Sequence, residues 1–405
     1  MKYPEYVKKC IELLEASGYS AYAVGGAVRD LLLHKEPSDW DVTTSARPEE
    51  IITVFKDFRT ILTGIKHGTV TVLTNDGEKS IPIEITTFRV DGEYRDSRHP
   101  ESVEFSKNVR DDLSRRDFTV NAMAFNEKEG IIDAFGGKND LQSRTIRAVG
   151  DPEKRFSEDA LRILRAFRFS AQLEFEIEEK TFLGAKKCAP LLKNIARERV
   201  GVEFKKLLAS NGVVYSLEKM VEGGVWQEIF DTPAPSVQEI AKLSVLEGGN
   251  FATRLCALIC EYTDDEKESI LNLLRLSNAE KKLVLRLCSV KNYEIPQNYN
   301  KFSASARHFL HLYNNIYGNS VEMLEFFCKD ERFEDFLLVL EAEKHQNNPL
   351  TIADLEIKGS DILPLCHGNY SRVGKTLEIL LKKVLENPQL NKKDELINIA
   401  KKELL

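Results

Sequence analysis

The spacing of apolar and polar residues changes character near residue 145. Before that point, short apolar runs are separated by turns, and strands are predicted at 69–74, 81–88 and 118–125. After it, apolar residues recur with a 3.6-residue period almost to the end of the chain. The pattern therefore predicts an α+β fold, with a mixed sheet and helices in an N-terminal head that is followed by an all-α arm.

Breaks in the helical pattern divide the arm into blocks. Proline-containing stretches lie at 231–236 and 292–298, and a polar loop occupies 344–349. Taken with the change near 145, these breaks predict four regions, which are 1–145, 146–210, 211–300 and 301–405.

Two aspartates separated by one residue follow the first predicted helix. In a strand, Asp39 and Asp41 point to one face, with Trp40 and Val42 on the other, and their Cα atoms are roughly 7 Å apart. A pair of carboxylates at this spacing suits a hard divalent cation such as Mg²⁺. Taken alone, the pattern favours a solvated turn over a metal site.

The segment before the aspartates favours the metal site over the solvated turn. A short apolar strand at 22–24 leads into Gly25 and Gly26, and a helix is predicted to begin near Ala27. Strand, paired glycines and helix form an arrangement that admits a phosphate to the backbone, and Arg29 adds a charged donor. The alternative is a plain turn with an ion pair from Arg29 to Asp30. A triphosphate pocket beside a two-carboxylate metal site predicts nucleotidyl transfer.

Composition narrows the class of protein. The chain has 405 residues, a net charge of −7 and no apolar run long enough to span a bilayer. The first residues lack a signal-peptide pattern, and the seven scattered cysteines are typical of buried thiols in a reducing cytoplasm. We therefore expect a cytoplasmic protein that holds any nucleic acid through a local basic stripe.

A second polar cluster lies at 115–124. Arg116 is placed to bind phosphate or sugar, Asp117 to accept from a ribose hydroxyl, and Asn121 to serve as a further polar anchor. An ordinary surface turn with an Arg–Asp pair is the alternative. A glycine-rich segment at 133–141 is interpreted as a structural turn.

A helix with an excess of arginine is predicted at 157–169, with Ser157 as its N-cap. Its apolar stripe contains Ala160, Leu164, Phe167 and Ala171. The opposite face carries Asp159, Arg162, Arg165 and Arg168. An aspartate that accepts from an exocyclic amine beside an arginine that donates to a ring acceptor matches cytosine or adenine and mismatches guanine and uracil. A solvated charged face is the alternative.

These segments together resemble the bacterial tRNA nucleotidyltransferases, or CCA-adding enzymes, in the class that also contains bacterial poly(A) polymerases. Both belong to the DNA polymerase β-like nucleotidyltransferase superfamily. Five segments resemble the family's motifs in order, and they are 25–41, 115–123, 133–141, 158–162 and 196–203. The resemblance implies that 146–210 is a neck carrying the nucleotide template, 211–300 a body, and 301–405 a tRNA-binding tail.

The resemblance also implies an activity and a role for each site residue. The activity is addition of C, C and A to the 3′ end of tRNA from CTP and ATP, with release of pyrophosphate. Asp39 and Asp41 would be catalytic and bind Mg²⁺, and Glu84 is a candidate third carboxylate. The nucleotide-binding residues would be Gly26, Arg29, Arg116, Asp117, Asp159, Arg162, Arg165 and Arg168. The segment 87–105 resembles the family's flexible loop.

Three alternatives remain open from the sequence. The first is a relative that adds only CC or only A, and the second is a poly(A) polymerase, which the acidic net charge disfavours. The third is a non-catalytic RNA-binding module, which the complete aspartate pair disfavours. Candidate RNA-contacting residues are Lys186, Lys187, Lys193, Arg197, Lys205, Lys206, Lys375, Lys382, Lys383, Lys392 and Lys393. The sequence predicts no oligomeric state.

Overall fold

The computed structural model describes residues 2–75, 79–92, 103–246, 248, 250–328 and 330–404. The chain forms two compact units, of which the first comprises Met1–Phe251 with Tyr262–Leu276 and the second Ala252–Glu261 with Ser277–Leu405. The α+β class predicted from the sequence is confirmed, since the strands lie in the N-terminal part of the first unit and the remainder is helical. The four-region division stays a prediction.

The strands are, in chain order, β1 (Ala21–Val24), β2 (Asp41–Thr44), β3 (Arg59–Ile61), β4 (Thr69–Asn75), β5 (Ser80–Thr87), β6 (Arg89–Asp91), β7 (Val103–Phe105), β8 (Met123–Asn126), β9 (Gly130–Asp133), β10 (Thr145–Ile146) and β11 (Glu176–Ile177). The main sheet has the order β3-β4-β5-β2-β1-β8-β9. The β2–β5 pair is parallel and the other neighbours are antiparallel, so the sheet is mixed.

The helices are α1 (Glu5–Ala16), α2 (Gly26–Leu32), α3 (Pro48–Val54), α4 (Val109–Ser114), α5 (Gly137–Gln142), α6 (Pro152–Glu158), α7 (Leu161–Leu173), α8 (Glu179–Cys188), α9 (Arg197–Leu208), α10 (Val213–Glu222), α11 (Val225–Ile229), α12 (Val237–Ala241), α13 (Phe251–Ile259), α14 (Asp264–Leu273), α15 (Asn278–Ser289), α16 (Phe302–Tyr313), α17 (Tyr317–Phe327), α18 (Phe333–Lys344), α19 (Gly359–Ile362), α20 (Tyr370–Glu386) and α21 (Lys393–Leu404). No helix in the described part of the chain is long and apolar enough to cross a membrane.

The two faces of the main sheet differ. Val70 and Val72 of β4 and Ile83 and Ile85 of β5 are fully buried on one face, against which α3 packs. The intervening residues of both strands are exposed or half-buried on the other face. This alternation is the period-2 pattern that predicted both strands.

The predicted strand at 118–125 is wrong over its first half. Residues Thr119–Asn121 form a 3₁₀ turn, and β8 begins only at Met123. The Asp117 carboxylate causes the turn, since it accepts from the Phe118 N–H at 2.8 Å and from the Asn121 side chain at 3.2 Å. An aspartate that bonds the backbone locally competes with strand pairing.

The polar loops predicted from the sequence fall partly outside the described residues. Strand β4 ends at Asn75, and the polar residues after it, 76–78, lie outside the described residues. The predicted flexible loop at 87–105 contains a short hairpin formed by β6 and β7, and its central part, 93–102, lies outside the described residues.

The second unit is helical and has its own core. Leu380 and Val384 of α20 and Leu396 of α21 are fully buried in it. Arg307 of α16 pairs with Glu343 at 2.9 Å, and it also donates to the Leu385 carbonyl at the end of α20 at 2.7 Å. All seven cysteines are free thiols, and five are buried, in accord with the predicted buried thiols.

A close helix contact in the first unit makes a testable prediction. A Cβ atom at Gly201 of α9 would lie 2.3 Å from the Leu274 carbonyl oxygen. Gly201→Ala should therefore lower the free energy of unfolding by about 1–3 kcal/mol despite the better helix propensity of alanine. Gly374→Ala in α20, where nothing lies within 4 Å, is the control and should be neutral or slightly stabilising. Urea unfolding followed by circular dichroism measures both, and equal effects would contradict the steric explanation.

Candidate active site

The turn between β1 and α2 brings backbone close to a charged side chain. Gly25 has φ +78°, a conformation that favours glycine, and a Cβ there would lie 3.0 Å from Arg116 Nη1. Its N–H donates to the Met123 carbonyl of the neighbouring strand β8 at 3.2 Å. The turn is therefore held in place, and its backbone lies next to the Arg116 side chain.

A cavity of about 590 Å³ opens beside this turn. Eight of the ten predicted site residues line it, and they are Gly26, Arg29, Asp39, Asp41, Arg116, Asp117, Arg165 and Arg168. Three parts of the chain thus meet at this cavity, and they are residues 25–41, residues 115–121 and α7. Asp159 and Arg162 do not line the cavity.

The two aspartates lie at the end of β2. The strand begins at Asp41, so Asp39 precedes it, yet both side chains line the cavity. Trp40 points the other way and packs edge-to-face on Tyr3, with ring centroids 6.4 Å apart. The two carboxylates therefore point to the same side, as predicted, although only Asp41 belongs to β2.

Asp41 lies beside other carboxylates. It pairs in register with Glu84 on the parallel strand β5. Desolvation raises the pKa of Asp41 to about 6; Arg116 opposes this rise, and the charges of Glu84 and Asp39 add to it.

These carboxylates fit a hard cation. Within the described ranges, no group of three or more His, Cys, Asp or Glu side chains stands at metal-ligand spacing. Mg²⁺ needs only one or two protein carboxylates, because it keeps several waters and completes its octahedron with substrate phosphates. Burial raises the pKa of Asp41, and a divalent cation beside this carboxyl would favour its anionic form.

Asp117 is the most heavily bonded carboxylate of the site. It is buried and accepts from Arg165 at 2.6 and 2.8 Å, besides its bonds to Phe118 and Asn121. Burial alone would raise the pKa of Asp117, but the Arg165 charge and these hydrogen bonds lower it to about 2. The group is therefore ionised at physiological pH, and its four acceptor positions are occupied.

The aromatic ring of Phe169, which was not predicted from the sequence as part of the site, lies among the cationic side chains of the cavity. Phe169 has the guanidinium groups of Arg29, Arg165 and Arg168 at 5.3, 5.2 and 3.6 Å from its ring centroid. Arg29 is further held by Asn121 at 2.7 Å. The signal was present in the sequence, since Phe169 stands four residues after Arg165 and therefore on its side of the helix.

A second missed residue connects α7 with α9. Glu203 of α9 pairs with Arg168 at 2.6 Å and lies 3.7 Å from Arg165. Both Arg168 and Glu203 are buried. The polar lining residues that follow Phe169 in the chain were not predicted as part of the nucleotide site either, and they are Gln172, Lys206 and Ser210.

The predicted helix at 157–169 is interrupted, and Ser157 is not its N-cap. Helix α6 ends at Glu158, Asp159 is extended, and α7 begins at Leu161. The N-cap position of α7 is Ala160, and the Asp159 carboxylate before it accepts from the Leu161 N–H at 3.0 Å.

Asp159 and Arg162 are held by protein partners. Asp159 pairs with Arg199 of α9 at 2.9 Å. Arg162 donates to Glu158 at 2.6 Å and to the carbonyls of Arg155 and Arg115 at 2.9 and 3.0 Å. These bonds fix the start of α7 against the 115–121 segment.

The glycine-rich segment at 133–141 is a turn closed by its own aspartate. Asp133 accepts from the N–H groups of Gly137 and Lys138 at 2.8 and 2.9 Å. It lines no part of the cavity.

The carboxylate cluster generates a prediction about proton binding. In metal-free protein, the Asp41 carboxyl should titrate near pH 6, and Glu84→Gln should lower its pKa by removing a neighbouring negative charge. Glu49→Gln, on helix α3 behind the sheet, is the control and should leave the titration unchanged. Carbon-13 NMR of the aspartate carboxyl groups measures this, and an Asp41 titration near pH 4 in the unmodified protein would contradict the explanation.

Comparison with known proteins agrees with this geometry. Residues 21–147 match the model of the poly A polymerase head domain, and residues 174–239 match the model described as the probable RNA and SrmB- binding site of polymerase A. The CCA-adding enzyme of Enterococcus faecalis is 35% identical over 408 residues, covering 97% of this chain and 94% of that protein. That of Streptococcus suis is 42% identical over 292 residues, covering 71% and 70% of the two chains.

A solved structure is similar over the whole chain. The Bacillus stearothermophilus CCA-adding enzyme in complex with CTP superimposes with a TM-score of 0.81 at 29% identity, covering 100% of this chain and 98% of that one. Since a relative that is 35% identical covers 97% of this chain and eight of the ten predicted site residues line one cavity, this chain belongs to the family of CCA-adding enzymes, the tRNA nucleotidyltransferases.

Proposed function

We propose that this enzyme adds C, C and A in turn to the 3′ end of tRNA, using CTP and ATP and releasing pyrophosphate. The observation that carries the proposal is the cavity in which Asp39 and Asp41 face the Gly25–Gly26 turn and a group of arginines. Relatives along the whole chain are CCA-adding enzymes. A cavity lined by both carboxylates and arginines suits a metal-bound triphosphate.

The arginines act on the triphosphate. Arg29, oriented by Asn121, and Arg116, held by Asp112 at 3.3 Å, are placed beside the backbone turn to bind phosphate oxygens. Their fixed side chains hold the α-phosphate in one orientation and so lower the entropic barrier to attack.

The carboxylates act on the metal. Enzymes of this family use a divalent metal ion, and we propose Mg²⁺ held by Asp39 and Asp41, with Glu84 beside them. When bound, such an ion neutralises phosphate charge and lowers the pKa of the attacking 3′-hydroxyl. Asp41 must be ionised to bind it, so transfer should rise with pH until that carboxyl is deprotonated.

Asp117 acts by positioning. The family resemblance predicts that it contacts the ribose, but its acceptor positions are occupied by Arg165, Asn121 and the Phe118 N–H. We propose that it holds Arg165 towards the nucleotide, and the ribose contact stays a prediction.

Base selection is proposed for Asp159 and Arg162, with Arg165 and Arg168 completing the nucleotide site. An aspartate and an arginine at the start of one helix offer the acceptor and donor that cytosine and adenine require. Their partners Arg199 and Glu158 hold them in place in the absence of a base.

One assay tests the activity. Purified protein is given tRNA ending at the discriminator base, at C or at CC, with Mg²⁺ and labelled CTP or ATP. We expect extension of all three, ending at CCA. Extension that always stops after CC would identify a CC-adding enzyme, and extension of the CC end alone would identify an A-adding enzyme. Long A tails on generic RNA would identify a poly(A) polymerase. If no RNA is extended, the remaining hypothesis is a non-catalytic RNA-binding module.

The metal assignment predicts loss of transfer without loss of structure. Asp39→Asn and Asp41→Asn should each lower kcat for CTP and ATP by at least about a thousandfold, because an amide is a poor ligand for Mg²⁺. Asp57→Asn, at an exposed position of the head, is the matched control. Activity of either site variant within tenfold of the unmodified enzyme would show that the metal is held elsewhere.

The template assignment predicts a change of selectivity. Asp159→Ala should reduce the kcat/KM ratio of CTP over UTP by about 10- to 100-fold, since the acceptor for the cytosine amine is lost. Arg199→Ala removes the same ion pair but keeps the carboxylate, so it should lower kcat/KM while preserving the ratio. If Asp159→Ala keeps the preference for CTP, Asp159 does not read the base.

A further inference from the structure

A buried aspartate contacts the lining of the nucleotide cavity without belonging to it. Asp112 lies on α4, and its side chain is fully buried. It does not line the cavity. Its carboxylate accepts hydrogen bonds from the side chains of Arg115, Arg116 and Thr43. A carboxylate occupied in this way is not available as a metal ligand, so any part that it has in the reaction is exerted through its partners.

The two oxygens of Asp112 have different partners. Oδ1 accepts from Nε and Nη2 of Arg115 at 3.0 and 2.6 Å. Oδ2 accepts from Nη2 of Arg116 at 3.3 Å and from the Thr43 hydroxyl at 3.2 Å. Burial alone would raise the pKa of Asp112, but the charges of Arg115 and Arg116 and their hydrogen bonds lower it. The carboxylate is therefore anionic at physiological pH and restrains both cationic side chains.

Asp112 is the anchor of the Arg116 guanidinium. Within the described ranges, Asp112 is the hydrogen-bond partner of this group, and the bond uses Nη2. Arg116 Nε is buried and has no partner in the described part of the chain, which is uncommon for a buried donor. A Cβ atom built on Gly25 would lie 3.0 Å from Arg116 Nη1. The bond to Asp112 thus keeps the guanidinium beside the turn while donors remain for a phosphate.

Thr43 connects the same carboxylate to the metal-binding strand. It lies on β2, two residues after Asp41. Its hydroxyl shares one proton between Asp112 and the Thr86 carbonyl, each 3.2 Å away. Asp112 is therefore bonded on one side to the strand that carries Asp41, and on the other side to an arginine that lines the cavity together with Asp41.

We propose that Asp112 is a positioning residue for nucleotidyl transfer, because it holds Arg116 in a fixed place relative to the strand that carries Asp41. This inference rests on the proposed function and adds a residue that acts through Arg116 and not on the substrate itself. In-line attack requires that the metal and the arginine hold one phosphate in a single orientation. A long arginine side chain meets this requirement only when a second group restrains it.

A double-mutant cycle tests the proposal. Asp112→Asn keeps the size of the side chain but removes the charge that holds Arg116, so it should lower kcat for CTP and ATP alike by about 10- to 100-fold. Arg116→Gln should lower kcat at least as far. In the Arg116→Gln background, Asp112→Asn should change kcat by less than about threefold, because the side chain through which it acts is absent. Losses that multiply would overturn the proposal, since Asp112 would then support only the fold.

Nucleotide selectivity separates this role from base selection. Both CTP and UTP carry the phosphates that Arg116 is proposed to bind. Asp112→Asn should therefore leave the kcat/KM ratio of CTP over UTP within about twofold of the unmodified enzyme. A fall of that ratio by tenfold or more would overturn the proposal.

The neighbouring aspartate supplies the matched control. Asp111 lies on the same helix and accepts from the Ser106 hydroxyl. Asp111→Asn removes the same charge and should leave kcat unchanged. Equal losses in Asp111→Asn and Asp112→Asn would overturn the proposal in favour of a general effect of charge. The unmodified enzyme tests the underlying function separately, because failure to extend any tRNA would appear before the variants are compared.

A second variant applies if Asp112→Asn is unfolded at the assay temperature, which circular dichroism shows. Thr43→Val removes the bond between β2 and Asp112 without removing a charge. It should lower kcat by about three- to tenfold, and this loss should also disappear in the Arg116→Gln background. An unchanged kcat, or a loss that persists in that background, would overturn the proposal.

Discussion

The buried charge of Asp117 is the constraint on which the rest of the site depends. An unpaired carboxylate in this position would be costly, and Arg165 of α7 neutralises it through two hydrogen bonds. The pair ties α7 to the turn that precedes β8. Through Arg165 and Arg168 the same connection reaches Glu203 of α9. Three parts of the first unit are therefore positioned by one chain of ionic contacts.

The same contacts gather three guanidinium groups at the cavity. Arg29, Arg165 and Arg168 surround the ring of Phe169, whose electron-rich faces attract cations. Each of them also has a carboxylate partner, which is Asp30 for Arg29, Asp117 for Arg165 and Glu203 for Arg168. The arginines are therefore held in place before a polyanionic ligand binds. The acidic net charge of the chain does not conflict with this, because the positive charge is local.

Much of the site was predictable because the residues that touch one another lie in short segments with strong local signals. The spacing of residues identified the Gly25–Gly26 turn, the aspartate pair and the arginines of α7. The alternation of apolar and polar residues predicted both β4 and β5. The break at Asp159 was not predicted, because apolar periodicity does not register the bonds of its carboxylate to the Leu161 N–H and to Arg199 on another helix. Glu203 was missed for a similar reason, since its partner Arg168 lies on another helix. The 3₁₀ turn at 119–121 arises from the side-chain bonds of Asp117, which apolar periodicity does not detect.

The parallel pairing of β2 with β5 has a consequence for folding. Asp41 and Glu84 come together only after the chain has passed through α3, β3 and β4 and returned, so the carboxylate cluster depends on a long-range contact. Such contacts form late, because the intervening loop must first be ordered. A head in which β2 and β5 have not paired therefore lacks the Asp41–Glu84 cluster. A cation that binds this cluster in the folded head would accordingly stabilise the paired sheet.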